Sequence, residues 1–182
     1  SGHPFVTINC PTLSQELLAS ELFGHTRGAF TGAVRDQPGR VEVAEGGTLF
    51  LDEVSEIAPE LQAKLLRFLQ EKEFERVGEN QTRRADVRVV AATNRDLEQA
   101  VKEGRFREDL LFRLNVVEVK IPALRERPED ILPLARHFLQ FFARSAKRPL
   151  LELSKETEAV LLKYQWPGNI RELRNAMERA TI

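Results

Sequence analysis

The run Thr48-Leu49-Phe50-Leu51, fenced by Gly46-Gly47 before it and Asp52-Glu53 after it, narrows the fold more than any other stretch. Four residues with no polar alternation beyond the threonine suit a strand buried on both faces, and such strands belong to parallel sheets. Phe5-Val6-Thr7-Ile8, closing at Asn9-Cys10-Pro11, reads as a second strand, and Val87 to Thr93, ending at Asn94, as a third. Val116 to Ile121 reads as a fourth. Helical spacing lies between them: Leu13, Leu17, Leu18 and Leu22 in one segment, then Leu61, Leu65, Phe68 and Leu69 behind Pro59. Two more helices are expected, from about Asp96 to Gly104 and from Phe106 to Leu114. Strands separated by helices give an α/β class with a parallel sheet and flanking helices.

Local signals refine this outline. Thr12 with Gln15 forms a plausible capping box for the first helix, and Gly24 stops it. Glu71 to Asp86, dense in both charge signs, is a loop or a hairpin. From Pro122 the strand pattern disappears. A charged linker, Leu124 to Pro128, leads to three helices: Ile131 to Ser145, Lys155 to Tyr164 behind Ser154, and Ile170 to the end, where Asn169 and Glu172 make a second capping pair. The expected organisation is an α/β core over residues 1–121 and a small helical domain over residues 122–182.

A net charge of −1 supplies no global field for nucleic acid, so any such contact needs a local patch. The single cysteine, Cys10, excludes an internal disulfide framework, and His3, His25 and His137 show no metal-ligand spacing. No apolar run approaches about 18 residues and no signal peptide opens the chain, so a cytoplasmic protein without membrane association is expected.

Chemistry concentrates in a few places. At the carboxyl end of a parallel strand, Asp52 and Glu53 would point into the crevice where doubly wound sheets bind ligands. A carboxylate there suits Mg²⁺, and a second can orient or deprotonate water, which makes the run a Walker B pattern. The plainer alternative is a pair of acids opening a solvated loop. Asn94 ends the next strand, where an amide can bond a phosphate or a water, although asparagine is also a common turn residue. Arg107 and Arg113 differ by about 120° around a helix; they are either solvated arginines, one paired with Glu108 or Asp109, or arginine fingers. Trp166-Pro167-Gly168-Asn169 between two helices also outlines a DNA-binding helix-turn-helix offering Arg171, Arg174, Asn175 and Arg179, against which Glu172 and Glu178 would repel phosphate. Finally, Gly28 and Gly32 flank Ala29, Phe30 and Thr31. The stretch is either a tight turn whose Phe30 folds back on its own helix or a mobile loop presenting Phe30 and Thr31 to a partner.

Taken together, these pieces resemble the central AAA+ domain of the sigma-54-dependent transcription activators. The resemblance spans essentially the whole chain. Gly28-Ala29-Phe30-Thr31-Gly32-Ala33 is that family's GAFTGA signature, set behind Glu21-Leu22-Phe23-Gly24-His25, and Gly46 through Glu53 resembles its Walker B. Phe106 to Leu114, Leu124 to Arg127, and Trp166 to Asn169 with Arg171-Glu172-Leu173 match further blocks. The resemblance implies that Asp52 holds Mg²⁺ and that Glu53 polarises the attacking water. It implies that Asn9 restrains that glutamate and that Thr93 with Asn94 forms sensor I. Arg107 and Arg113 would serve as trans-acting fingers in a ring, typically a hexamer, with ATP between neighbours. Arg171 would be sensor II, on a helical lid open to truncation at its C-terminus. Gly28 to Ala33 would contact sigma-54 in its RNA polymerase holoenzyme, and promoter DNA contact would belong to a separate domain.

One departure stands out. The Gly-Lys-[Ser/Thr] phosphate cradle is absent, since no lysine follows a glycine. The expectation is therefore a fragment that lacks the first strand and P-loop of a 5-1-4-3-2 sheet and is inactive alone. Val87–Thr93 and Val116–Ile121 would then not be regular hydrogen-bonded neighbours.

Overall fold

A computed structural model describes residues 2–149 and 152–181. It divides into two compact units, Ser1–Glu118 and Val119–Ile182. In the first, β1 (Phe5–Asn9) leads through α1 (Gln15–Phe23) to the short strands β2 (Gly24–His25) and β3 (Gln37–Pro38), then to α2 (Arg40–Val43) and β4 (Thr48–Asp52). There follow α3 (Pro59–Glu71), β5 (Glu73–Phe74), β6 (Arg83–Arg84), β7 (Arg88–Ala92), α4 (Leu97–Lys102) and α5 (Glu108–Leu114).

The main sheet has the order β1-β4-β7, all parallel, with Asn9, Asp52 and Ala92 level at its carboxyl edge. β4 is central, as its apolar run requires, but it is packed on one face only. Leu49 and Leu51 are buried, while Thr48, Phe50 and Asp52 on the other face are half-buried. The packed face, with Ile8, meets Leu18, Leu22 and Phe23 of α1 and Leu61, Leu65 and Phe68 of α3 in one core. On the open face the Phe5 and Phe50 rings stack at 6.2 Å, and Phe5 and Val90 stay exposed. A four-residue apolar run thus identified the parallel strand correctly and overstated its burial.

The expected fourth strand is not one. Residues 116–121 have no β structure, and Val116, Val117, Val119 and Ile121 are exposed. β-Branched residues favour a strand only where a neighbour completes the hydrogen-bond ladder, and β7 has no second β partner among the described residues. The first helix also starts differently. The Thr12 hydroxyl donates to the Asn9 carbonyl instead of capping, and Ser14 is the N-cap. Gln15 reaches across to donate to the Glu56 carbonyl and accept from the Ala58 amide. Gly24 does end the helix, at φ 84°.

Residues 71–86 form the hairpin β5–β6. It is joined to α2 by Arg76, whose guanidinium donates two hydrogen bonds to Glu42, at 2.9 and 2.7 Å. Burial pushes the Glu42 carboxyl up, but the Arg76 hydrogen bond, the Gly39 amide and the charges of Arg76 and Arg83 outweigh it and hold the group below its ordinary value. The ionised pair therefore contributes stability above the ordinary carboxylate range. That contribution is lost as pH falls through the depressed value. Glu42→Gln is expected to cost roughly 1 kcal/mol at neutral pH and to flatten the fall in Tm between about pH 5 and pH 3. An unchanged acid profile would show that the pair is idle.

The second unit packs α6 (Ile131–Ser145), α7 (Lys155–Lys163) and α8 (Asn169–Ala180) around Leu124, Ile131, Leu139, Leu161, Trp166, Leu173 and Met177. Ser154 caps α7 through the Thr157 amide, as expected. At α8 the capping roles shift by one residue. Gly168 is the N-cap and its amide donates to Glu172, while Asn169 Oδ1 accepts from the Leu124 amide at 3.0 Å and so anchors the preceding linker.

Candidate functional site

Five of the candidate residues converge at the carboxyl edge of the main sheet because three parallel strands end in register there. Asn9 ends β1, Asp52 ends β4, and Thr93 and Asn94 follow β7 directly. Glu53 comes next after Asp52 and takes a left-handed conformation, φ 57° and ψ 55°. That region is costly for a residue with a side chain and persists where its surroundings enforce it, commonly at functional sites. Here the reversal tucks Val54 and Ser55 inside and leaves the Glu53 carboxylate to accept a hydrogen bond from the Asn94 amide at 3.1 Å. Among the described residues, no hydrogen bond links Glu53 to Asn9.

The segment after β7 is tied to the same turn. The Thr93 hydroxyl donates to the buried Ser55 hydroxyl at 3.0 Å and accepts from the Arg95 amide, and Arg95 pairs with Glu56 at 2.7 Å. The Asp52 carboxylate, by contrast, makes no hydrogen bond or ion pair among the described residues, although its backbone lies in the sheet. Its charge is felt next door: burial first, then Asp52, pushes the Cys10 thiol up to about 11. Burial and the neighbouring charge both disfavour the Cys10 thiolate, the form in which a cysteine reacts.

Arg107 is the exposed N-cap of α5 and pairs with Asp109, whose carboxyl it holds below its ordinary value. Arg113, six residues later, donates through its guanidinium to the Leu69 carbonyl at the end of α3, at 2.8 and 3.2 Å. Arg171 lies exposed on α8 in the second unit. Beside it, Arg174 stacks over the Phe142 ring at 5.4 Å, so it is a packing arginine before it is anything else.

The Gly28–Ala33 loop grows from a narrow stem. β2 and β3 pair Gly24 with Pro38 and His25 with Gln37. A Cβ on Gly39 would lie 2.3 Å from the carbonyl carbon of Phe23, so only glycine permits this approach. Gly28 and Gly32 have φ values of 81° and 101°. The tip closes through Gly28 N to Ala33 O and Ala33 N to Phe30 O. Thr31 is exposed, as expected of a presented residue, but Phe30 is half-buried, its ring edge-on to His25 at 5.0 Å. His25 itself is buried and hydrogen-bonded to Ser20 at 2.7 Å. An aromatic ring on a small-residue loop still gains by covering the nearest apolar surface, and His25 provides it.

Sequence reading missed Ser55, His25 and Gln62. For the last a signal existed: Gln62 sits three and seven residues before Leu65 and Leu69, within the apolar stripe of α3.

The family described as the sigma-54 interaction domain matches residues 1–120, and the AAA+ ATPase lid domain matches residues 125–182. The alginate biosynthesis transcriptional regulatory protein AlgB of Pseudomonas syringae pv. tomato is 63% identical over 177 residues, 97% of this chain and 40% of its own length. The Nif-specific regulatory protein of Azotobacter vinelandii is 58% identical, over 98% of this chain and 34% of its own. The crystal structure of NtrX from Brucella abortus in complex with ADP superposes with a TM-score of 0.91 at 41% identity, covering 98% of this chain and 39% of that one. The chain thus spans well under half the length of the relatives it matches. It belongs to the sigma-54 interaction domain family of AAA+ proteins, joined to an AAA+ lid.

Proposed function

We propose that this chain works as the sigma-54-engaging ATPase domain of a transcription activator, in which ATP hydrolysis remodels sigma-54 RNA polymerase for promoter opening. The observation that carries this reading is the acid pair at the carboxyl edge of β4. Asp52 is unpartnered and Glu53 is held in a left-handed turn by the Asn94 amide. The compact unit that holds the pair also carries the Gly28–Ala33 loop.

Asp52 fits Mg²⁺, which takes one or two carboxylates and keeps water and phosphate oxygens for the rest of its shell. When bound, the ion would withdraw charge from phosphate oxygens. Glu53, one residue on, would orient and deprotonate the attacking water, and its bond to Asn94 links that role to the end of β7. Arg107 and Arg113 would serve the site of a neighbouring subunit in a ring, typically of six, and Arg171 would act as sensor II. No Gly-Lys-[Ser/Thr] phosphate cradle occurs among these 182 residues, so they would supply only the hydrolytic side of the site. Promoter DNA contact is assigned to a separate domain. No helix among the described residues is long and apolar enough to cross a membrane.

This division of labour has a direct test. The purified 182-residue chain is expected to bind ATP weakly and release no phosphate above background. A longer chain that adds a Gly-Lys-[Ser/Thr] loop should turn ATP over. Equal rates from the two would refute the division.

A further inference from the structure

Gln62 is the most deeply buried polar side chain among the described residues, with no exposed surface. All the polar capacity it can use there is engaged. Its Nε2 donates to the Ile57 carbonyl at 2.7 Å and to the Arg105 carbonyl at 2.9 Å, and its Oε1 accepts from the Arg107 amide at 2.8 Å. Ile57 closes the short turn that begins at Glu53, and Arg107 opens α5. One amide group therefore joins the segment behind the acid pair to the backbone that bears the first candidate finger.

The chemistry of this bridge is specific. A carboxamide presents two donors and an acceptor in one rigid plane, so it can hold two carbonyls and an amide at fixed relative positions. Any other residue of that length leaves at least one of the three backbone groups buried without a partner, which is costly. The Arg107 side chain is exposed and gets its own restraint from Asp109, but its starting point in space is set by Gln62 and by the buried Phe106 beside it. Helix propensity alone does not demand glutamine at this place in the apolar stripe of α3.

We infer that Gln62 is a positioning residue: it locks Arg107 to the Glu53–Ile57 turn, so that the finger a subunit offers its neighbour moves as one body with that subunit's own acid pair. The inference rests on the reading of Arg107 as a trans-acting finger. It adds a physical link between successive sites around the ring.

The experiment mixes subunits of the longer, phosphate-loop-containing protein. Gln62→Met keeps the length and removes all three bonds, and its ATP turnover should fall on the order of tenfold to a hundredfold, as expected for a displaced catalytic group. Glu53→Gln subunits are inactive in their own sites but offer an intact finger. Adding them should restore turnover to Gln62→Met subunits, and to Arg107→Ala subunits to the same extent. If Arg107→Ala is not rescued, the trans-finger reading itself is wrong and the inference falls with it. If Arg107→Ala is rescued and Gln62→Met is not, or if Gln62→Met turns over normally, the finger reading stands and the role of Gln62 is refuted. Should Gln62→Met fail to fold, Gln62→Glu replaces it, since a protonated carboxyl can still accept from the Arg107 amide and donate once. In the unmodified 182-residue chain the Arg107 amide should exchange slowly with solvent, and exchange as fast as that of an exposed loop amide would overturn the bridge independently of any variant.

Discussion

Glu53→Gln, in a longer chain that includes the phosphate loop, is expected to lower kcat for ATP by a factor on the order of 10²–10⁴ while ATP binding persists. Glutamine preserves the shape of the side chain and an oxygen able to accept from the Asn94 amide, so the left-handed turn and the buried Val54 and Ser55 should remain as they are. What disappears is the basic oxygen that would take a proton from water. Asp52→Asn makes an informative contrast. It removes the unpartnered charge that would hold Mg²⁺, so its defect should be eased by raised Mg²⁺, whereas that of Glu53→Gln should not. Steady-state phosphate release together with fluorescent-nucleotide titration separates the two. A Glu53→Gln protein hydrolysing at nearly the parent rate would remove the water-activating role from this residue.

Phe30→Ala is expected to weaken sigma-54 capture by about thirtyfold or more, with nucleotide binding and Tm nearly unchanged. A half-buried ring resting on His25 contributes little to the core, which lies beneath α1 and α3. To a partner, however, it offers a large apolar anchor at a loop tip, and such residues dominate interface energies. Thr31→Ala, at an exposed position, should weaken capture less but in the same direction. Pull-down of sigma-54 by phosphate-loop-containing proteins, with nucleotide occupancy checked in parallel, decides it. Undiminished capture by Phe30→Ala would hand the contact to another surface.

The parts of this fold that could be read from sequence are those where side-chain pattern alone settles the outcome. The runs ending at Asn9, Asp52 and Thr93 are short and apolar enough to be strands, and their shared edge follows from parallel pairing. The helix Ile131–Ser145 has an amphipathic stripe that fixes its bounds. Where a partner decides, sequence was a poor guide. Val116 to Ile121 carries strand composition, but composition does not supply a neighbouring ladder. Thr12 and Gln15 match a capping box, yet both side chains found other backbone groups in range. Asn94 drew attention for its side chain, whereas its backbone amide makes the contact with Glu53, and no residue type announces an amide.

The stem beneath the Gly28–Ala33 tip has a mechanical consequence. Gly24 and Gly39 bring the two legs of the excursion together at backbone contact between α1 and α2, and the first leg is also tied to the β5–β6 loop, where the Thr26 amide donates to the Val77 carbonyl and the Val77 amide to the Gly24 carbonyl. Tension or thrust on the tip cannot peel a strand from the main sheet, since none is continuous with either leg. It arrives instead at a stem flanked by the helix that ends at Phe23, by the short helix whose Glu42 is tied to Arg76, and by the β5–β6 loop bonded to it at Val77. A tool mounted this way can be loaded repeatedly without unravelling its handle.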